Sequence, residues 1–155
     1  MTTVKIEFPE HLVEYLRGKY NNYETGPIRF PEESDIYHTL YDLLRERPAD
    51  KPVDSGNLEL ILPERSIGKR PETYNYLSAH SQRILRQKVT VMMWADIHEY
   101  IDSQHHMNGV DYKTAVYRWL CMYDVNGISE DALLKNYYRW RGKVKRLARR
   151  RTVKT

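Results

Sequence analysis

Nine of the twenty residues from Asn136 to Thr155, NYYRWRGKVKRLARRRTVKT, are lysine or arginine, and none is acidic. Guanidinium and ammonium groups at this density suit one kind of chemistry: pairing with a row of anions such as a phosphate backbone. At about 100° per residue, Lys135, Arg139, Arg141, Lys143, Lys145, Arg146, Arg149 and Arg150 spread over one broad arc of a helix, and Arg151 extends the run. Leu133, Tyr137, Trp140, Val144 and Leu147 recur at steps of 4, 3, 4 and 3 on the other side. Residues 129–155 are therefore expected to form a basic amphipathic helix with a short tail, its apolar stripe packed on the body. Tyr138 lies within the basic arc, placed to stack on a base or pack beside phosphate.

The charge of the whole chain is divided unevenly. Of 25 basic and 21 acidic residues, the segment 132–155 holds 10 basic and no acidic ones, leaving 15 and 21 before it. The body thus carries −6 and the C-terminal segment +10. An acidic body with a basic arm points to nucleic acid as the partner, duplex DNA favoured and RNA open. The competing partner is an acidic protein surface, which would make the chain a helical adaptor; that surface includes the body of a second copy in a homo-oligomer.

Other residues offer less chemistry. His98, Asp102, His105 and His106 lie at i, i+4, i+7 and i+8, but a metal site needs three rigid ligands converging on one point. The polar stretch DSQHH reads as an exposed helix end, so no metal site is expected. Phosphate-loop, dinucleotide, serine-elbow and zincin motifs are all missing from the sequence. The acidic residues are scattered without a carboxylate cluster for two-metal chemistry. The chain is expected to be no enzyme and to need no cofactor. Its one cysteine, Cys121, rules out an internal disulfide. No apolar run approaches membrane-spanning length, and MTTVKIEFPE lacks a signal-peptide layout, so no membrane partner and a cytoplasmic setting are expected.

The elements that must hold the basic arc follow from periodicity. At 155 residues one domain is expected. Val4, Ile6 and Phe8 alternate, as do Leu58, Leu60 and Leu62, so two short strands near the N-terminus should pair. Pro9 opens a helix carrying Leu12, Val13, Leu16 and Tyr20, which NNYETGP breaks. Pro31–Arg47 reads as a second helix, with Ile36, Leu40, Tyr41, Leu43 and Leu44 inward. RPADKPVDSGN and PERSIGKRPE are loops by composition. Tyr74–Lys88 is expected to be helical, with Leu77, Ile84 and Leu85 inward; VTVMM fits strand or helix by period, and helix is preferred because Met93, Trp94, Ile97, Tyr100 and Ile101 follow at i, i+1, i+4, i+7 and i+8. After the Asn108–Gly109 turn, Asp111 caps a helix burying Tyr112, Ala115, Val116, Trp119, Leu120 and Tyr123. Ser129 caps the last one.

The fold class is therefore mainly α (α+β): five or six helices, a two-stranded β element, and a C-terminal αα-hairpin or helix-turn-helix-like pair. Glu130 and Asp131 in the first turn of the last helix would repel phosphate, and Asn126 and Asn136 fall where a helix-turn-helix buries apolar residues. The expected function is non-catalytic nucleic-acid binding by a regulatory or accessory protein of bacterial or phage origin, with the basic arc on phosphates.

Overall fold

The computed structural model describes residues 2–20, 26–50 and 54–153. Parts of the NNYETGP break, of the RPADKPVDSGN loop and of the C-terminal tail lie outside them. The elements run β1 (Thr3–Ile6), α1 (Glu10–Tyr20), α2 (Asp35–Leu43), β2 (Leu58–Ile61), α3 (Ala79–Asn108), α4 (Tyr112–Tyr123) and α5 (Glu130–Val153). The chain is mainly α with one small sheet, as the patterning predicts.

Strands β1 and β2 pair antiparallel, with Val4 opposite Leu60 and Ile6 opposite Leu58. All four side chains are buried, so the alternation marks the core face. Phe8 and Leu62 lie just past the strand ends and are buried as well. There the ladder gives way to Asn57, whose Oδ1 accepts from the Phe8 N–H at 3.0 Å while its Nδ2 donates to the Phe8 carbonyl at 2.8 Å.

Two helices begin later than expected, each at a serine. Ser34 caps α2, its hydroxyl accepting from the Tyr37 N–H at 3.3 Å, so Pro31–Glu33 stay outside. Helix α2 ends at Leu43 because the backbone of Arg45 pairs with that of Tyr76, at 3.0 and 3.2 Å. The same bridge keeps Tyr74–Leu77 out of α3, which Ser78 caps through the Ser81 N–H at 3.1 Å.

Helix α3 is one continuous element of 30 residues, about 45 Å long at 1.5 Å per residue. Its buried positions include Ser81, Leu85, Val89, Met93, Ile97 and Ile101, every fourth residue. Four residues turn a helix by about 400°, so this stripe drifts about 40° per step and winds around the helix. Ile84, expected inward, is 40% exposed because the winding leaves it outside.

Helix α1 crosses both α3 and α4. Tyr15 is fully buried among Trp119 and Tyr123, with ring centroids 5.9 and 5.5 Å away. Its hydroxyl donates to Asp96 of α3, and Lys19 Nζ pairs with the same carboxylate at 2.7 Å. Gly18 lets α1 approach α4 closely: a Cβ there would lie 2.7 Å from the Tyr123 carbonyl oxygen.

That approach reverses the usual effect of replacing a helical glycine. In an exposed helix Gly→Ala stabilises by up to about 1 kcal/mol. Gly18→Ala should instead destabilise by about 1–3 kcal/mol, because backbone must shift. Urea unfolding at equilibrium checks the sign.

Candidate functional site

The C-terminal pair, α4 and α5, is an αα-hairpin joined by Asp124–Ser129. Asp124 ends α4 in the left-handed region, at φ 52° and ψ 46°, which aspartate tolerates better than most residues. The turn is held from outside by α1. Glu14 accepts from the Asn126 N–H at 3.0 Å and the Gly127 N–H at 2.8 Å. Ser129 starts α5 as expected, its hydroxyl accepting from the Ala132 N–H at 3.2 Å. Glu14, Glu130 and Asp131 therefore crowd the positive end of α5 with carboxylates. Reading of a nucleic acid by its first turns would meet that repulsion.

Contacts with aromatic side chains anchor the first half of α5 on α3. His98, buried on α3, stacks on Trp140 at 4.4 Å and 17°, and on Trp94 at 6.0 Å. Its Nε2–H donates to Asn136 Oδ1 at 2.7 Å. Asn136 is thus the polar partner of a buried imidazole. The buried Tyr137 hydroxyl donates to Asp102, one turn along α3 from His98. Burial, with this carboxylate beside it, pushes the Tyr137 phenol above its ordinary range. Burial also holds the His98 imidazole below 6.5, against smaller opposing effects of the Asn136 bond and the Asp102 charge.

The apolar stripe packs only this far. Leu133 and Tyr137 are fully buried, and Trp140 is half-buried against the core. Val144 and Leu147, expected inward, are 44% and 55% exposed. They keep the period but meet no facing element among the described residues. Gly142 marks the transition, with nothing within 4 Å of a Cβ built on it.

The sequence-selected cations divide along the same line. Lys143, Lys145, Arg146, Arg149, Arg150 and Arg151 are exposed on the projecting half, and Lys135 and Arg139 are exposed on the docked half. None of these eight has a carboxylate within 4.0 Å among the described residues. Arg141 is different. It is partly buried, with its guanidinium 5.2 Å from the Tyr112 ring centroid and Nη1 donating to the Tyr112 hydroxyl. Tyr138 is 52% exposed and meets Tyr112 edge-on at 5.9 Å, leaving much of its ring open.

The four residues that raised a metal question do not converge on one point. His98 and Asp102 are bonded to α5, and His105 donates from Nδ1 to the Val110 carbonyl at 3.0 Å. Only His106 faces open solvent. Among the described residues no group of three His, Cys, Asp or Glu side chains is placed to hold a metal ion. No described helix is long and apolar enough to cross a membrane.

Periodicity reveals the arc but not the anchors. The link from His98 to Asn136 and Trp140 spans about forty residues and has no local signature. A hint existed in Asn136 and Trp140, which share a face at i and i+4. Comparison with known proteins adds no further guide: no family model, curated protein or solved structure matches this chain.

Two measurements check these anchors. Trp140→Ala should cost about 2 kcal/mol, short of the 3–5 kcal/mol of a fully buried tryptophan, while Leu147→Ala should change stability by less than about 0.5 kcal/mol. The second concerns pH. His98 is held neutral in the fold, so between 6.5 and its lower folded value the unfolded chain binds the extra proton. Stability should fall as pH drops below 6.5. The His11 imidazole, lowered chiefly by burial, adds to the same trend. In His98→Gln the slope should be shallower but not flat.

Proposed function

We propose that this protein binds nucleic acid without catalysing a reaction on it, through the cationic face of α5. The observation that carries this reading is the set of eight exposed cations with no carboxylate within 4.0 Å among the described residues, on a helix exposed throughout from Lys143 to Arg151. Lys143/Arg146, Arg146/Arg149, Lys145/Arg149 and Arg146/Arg150 are like-charge neighbours at i+3 or i+4, and such pairs weaken an isolated helix. A polyanion removes that repulsion and gains released counterions. Duplex DNA is the favoured form, because a straight helix presents its cations in register with a regular row of phosphates. Tyr138 stands at the edge of the row, while Arg141 stiffens the junction with α4 through Tyr112.

In this reading, contacts to phosphate supply affinity and carry little sequence information. The acidic first turn of α5 keeps it from entering the major groove end-on. The role that fits is that of a cytoplasmic regulatory or accessory protein that coats or bridges DNA, or RNA through the same face.

Fluorescence anisotropy with two unrelated DNA duplexes and one RNA duplex tests it. If about four cations meet phosphates, log K should fall against log salt with a slope near −3.6. Charge reversal at Arg146, Arg149 and Arg150 should flatten the slope and weaken binding to both DNA sequences equally. Thermal stability should hold, because none of the three supports the body. No binding by the wild type at about 50 mM salt, where phosphate contacts are strong, would overturn the proposal.

A further inference from the structure

The apolar strip on distal α5 has no cover among the described residues, yet it continues the stripe that buries Leu133 and Tyr137. On a helical wheel Lys143 and Arg150 border Val144 and Leu147 on one edge and Lys145 lies toward the other, so the strip is a narrow apolar line between cations.

A surface of opposite character lies on the outer side of α3. An open groove of about 640 Å³ runs between α3 and α5, its apolar parts coming from Ala95, Met107 and Trp140 and its carboxylates from Glu99 and Asp102. A second groove of about 280 Å³ lies between α3 and α4, where Tyr100 and Met122 flank Asp96 and Glu99. The two meet at Glu99 and Ser103, which line both, so the exposed face of α3 separates them and the α3–α5 groove alone forms the trough. Asp96 is neutralised by Lys19, and Asp102 accepts from Tyr137. Glu99 is exposed, with no cation within 4.0 Å among the described residues.

The strip and the trough complement each other in apolar character and charge, but not within one molecule. Trp140 forms a wall of the trough and sits only four residues, about 6 Å, before Val144 on the same continuous helix. While α5 is unbroken, the strip cannot turn back across the trough floor.

We propose that the distal half of α5 docks in the α3 trough of a second copy of this chain, and that a two-fold axis makes the exchange reciprocal. Val144 and Leu147 then cover Met107 and Ala95, and a flanking cation, Lys143 or Arg150, meets Glu99. Arg146 and Arg149 still point outward. The proposal does not depend on nucleic-acid binding, and its test contains none, so either can fail alone.

Sedimentation velocity over a concentration series up to about 100 μM protein reads the mass directly. One chain mass should give way to two as concentration rises. Raising salt should weaken the association without abolishing it, because its apolar part is unscreened. Leu147→Asp and Glu99→Lys lie at exposed positions and should each raise the dissociation constant at least tenfold. Circular-dichroism melts confirm folding, and Leu147→Ser and Glu99→Gln replace any variant that melts early. Mixing the Leu147 and Glu99 variants should restore a mixed pair with one docked arm. Wild type that keeps one chain mass throughout overturns the proposal, as does a dimer indifferent to both substitutions.

Discussion

One helix decides where everything else can sit. Buried residues at every fourth position of α3 shift the contact face by about 40° each time, so from Ser81 to Ile101 it turns through roughly half a circle. A straight stripe would have bound one partner along its length. The winding stripe meets neighbours in succession instead. Ser81 and Lys88 reach α2, Met92 and Asp96 reach α1, His98 and Asp102 reach α5, and His105 packs on Tyr112 of α4. The N-terminal helices and the C-terminal hairpin are separate in sequence, and α3 joins them.

That arrangement also sets the limit of the body. The docking site for α5 is near the far end of α3, at His98 and Asp102, and it is filled by residues 136–140. The remaining turns of α5 are exposed, with no facing element among the described residues. Apolar burial falls away after Trp140 while positive charge accumulates, so stability and charge occupy different halves of one helix. Substitution in one half should thus leave the property of the other nearly intact.

Much of this was legible in sequence because local chemistry is short-ranged. The two alternations gave the strands, Asp111 and Ser129 gave caps, and the 4-3-4-3 spacing gave the basic arc. Where reading failed, a distant partner had intervened. Tyr74–Leu77 has helical residues, but Tyr76 pairs with Arg45, about thirty residues away. Val144 and Leu147 carry a true period with nothing opposite, since periodicity states which face is apolar and not whether it is covered. Asn136, which looked misplaced for a buried helix face, answers a histidine on another element. The Glu14 clasp on the last turn had no sequence signal at all.

The clasp has a consequence for how the chain is made. Glu14 bonds Asn126 and Gly127, sequence separations of 112 and 113 residues. Tyr15 likewise waits for Trp119 and Tyr123 to complete its surroundings. On a ribosome adding about 5–20 residues per second, α1 emerges several seconds before the helices that cover it. Through that interval its apolar face is open, and so is the face of α3 that it shares with α4. Folding of the body is therefore a late event in translation, and pauses after α1 lengthen the time during which chaperones, or another nascent chain, can reach it.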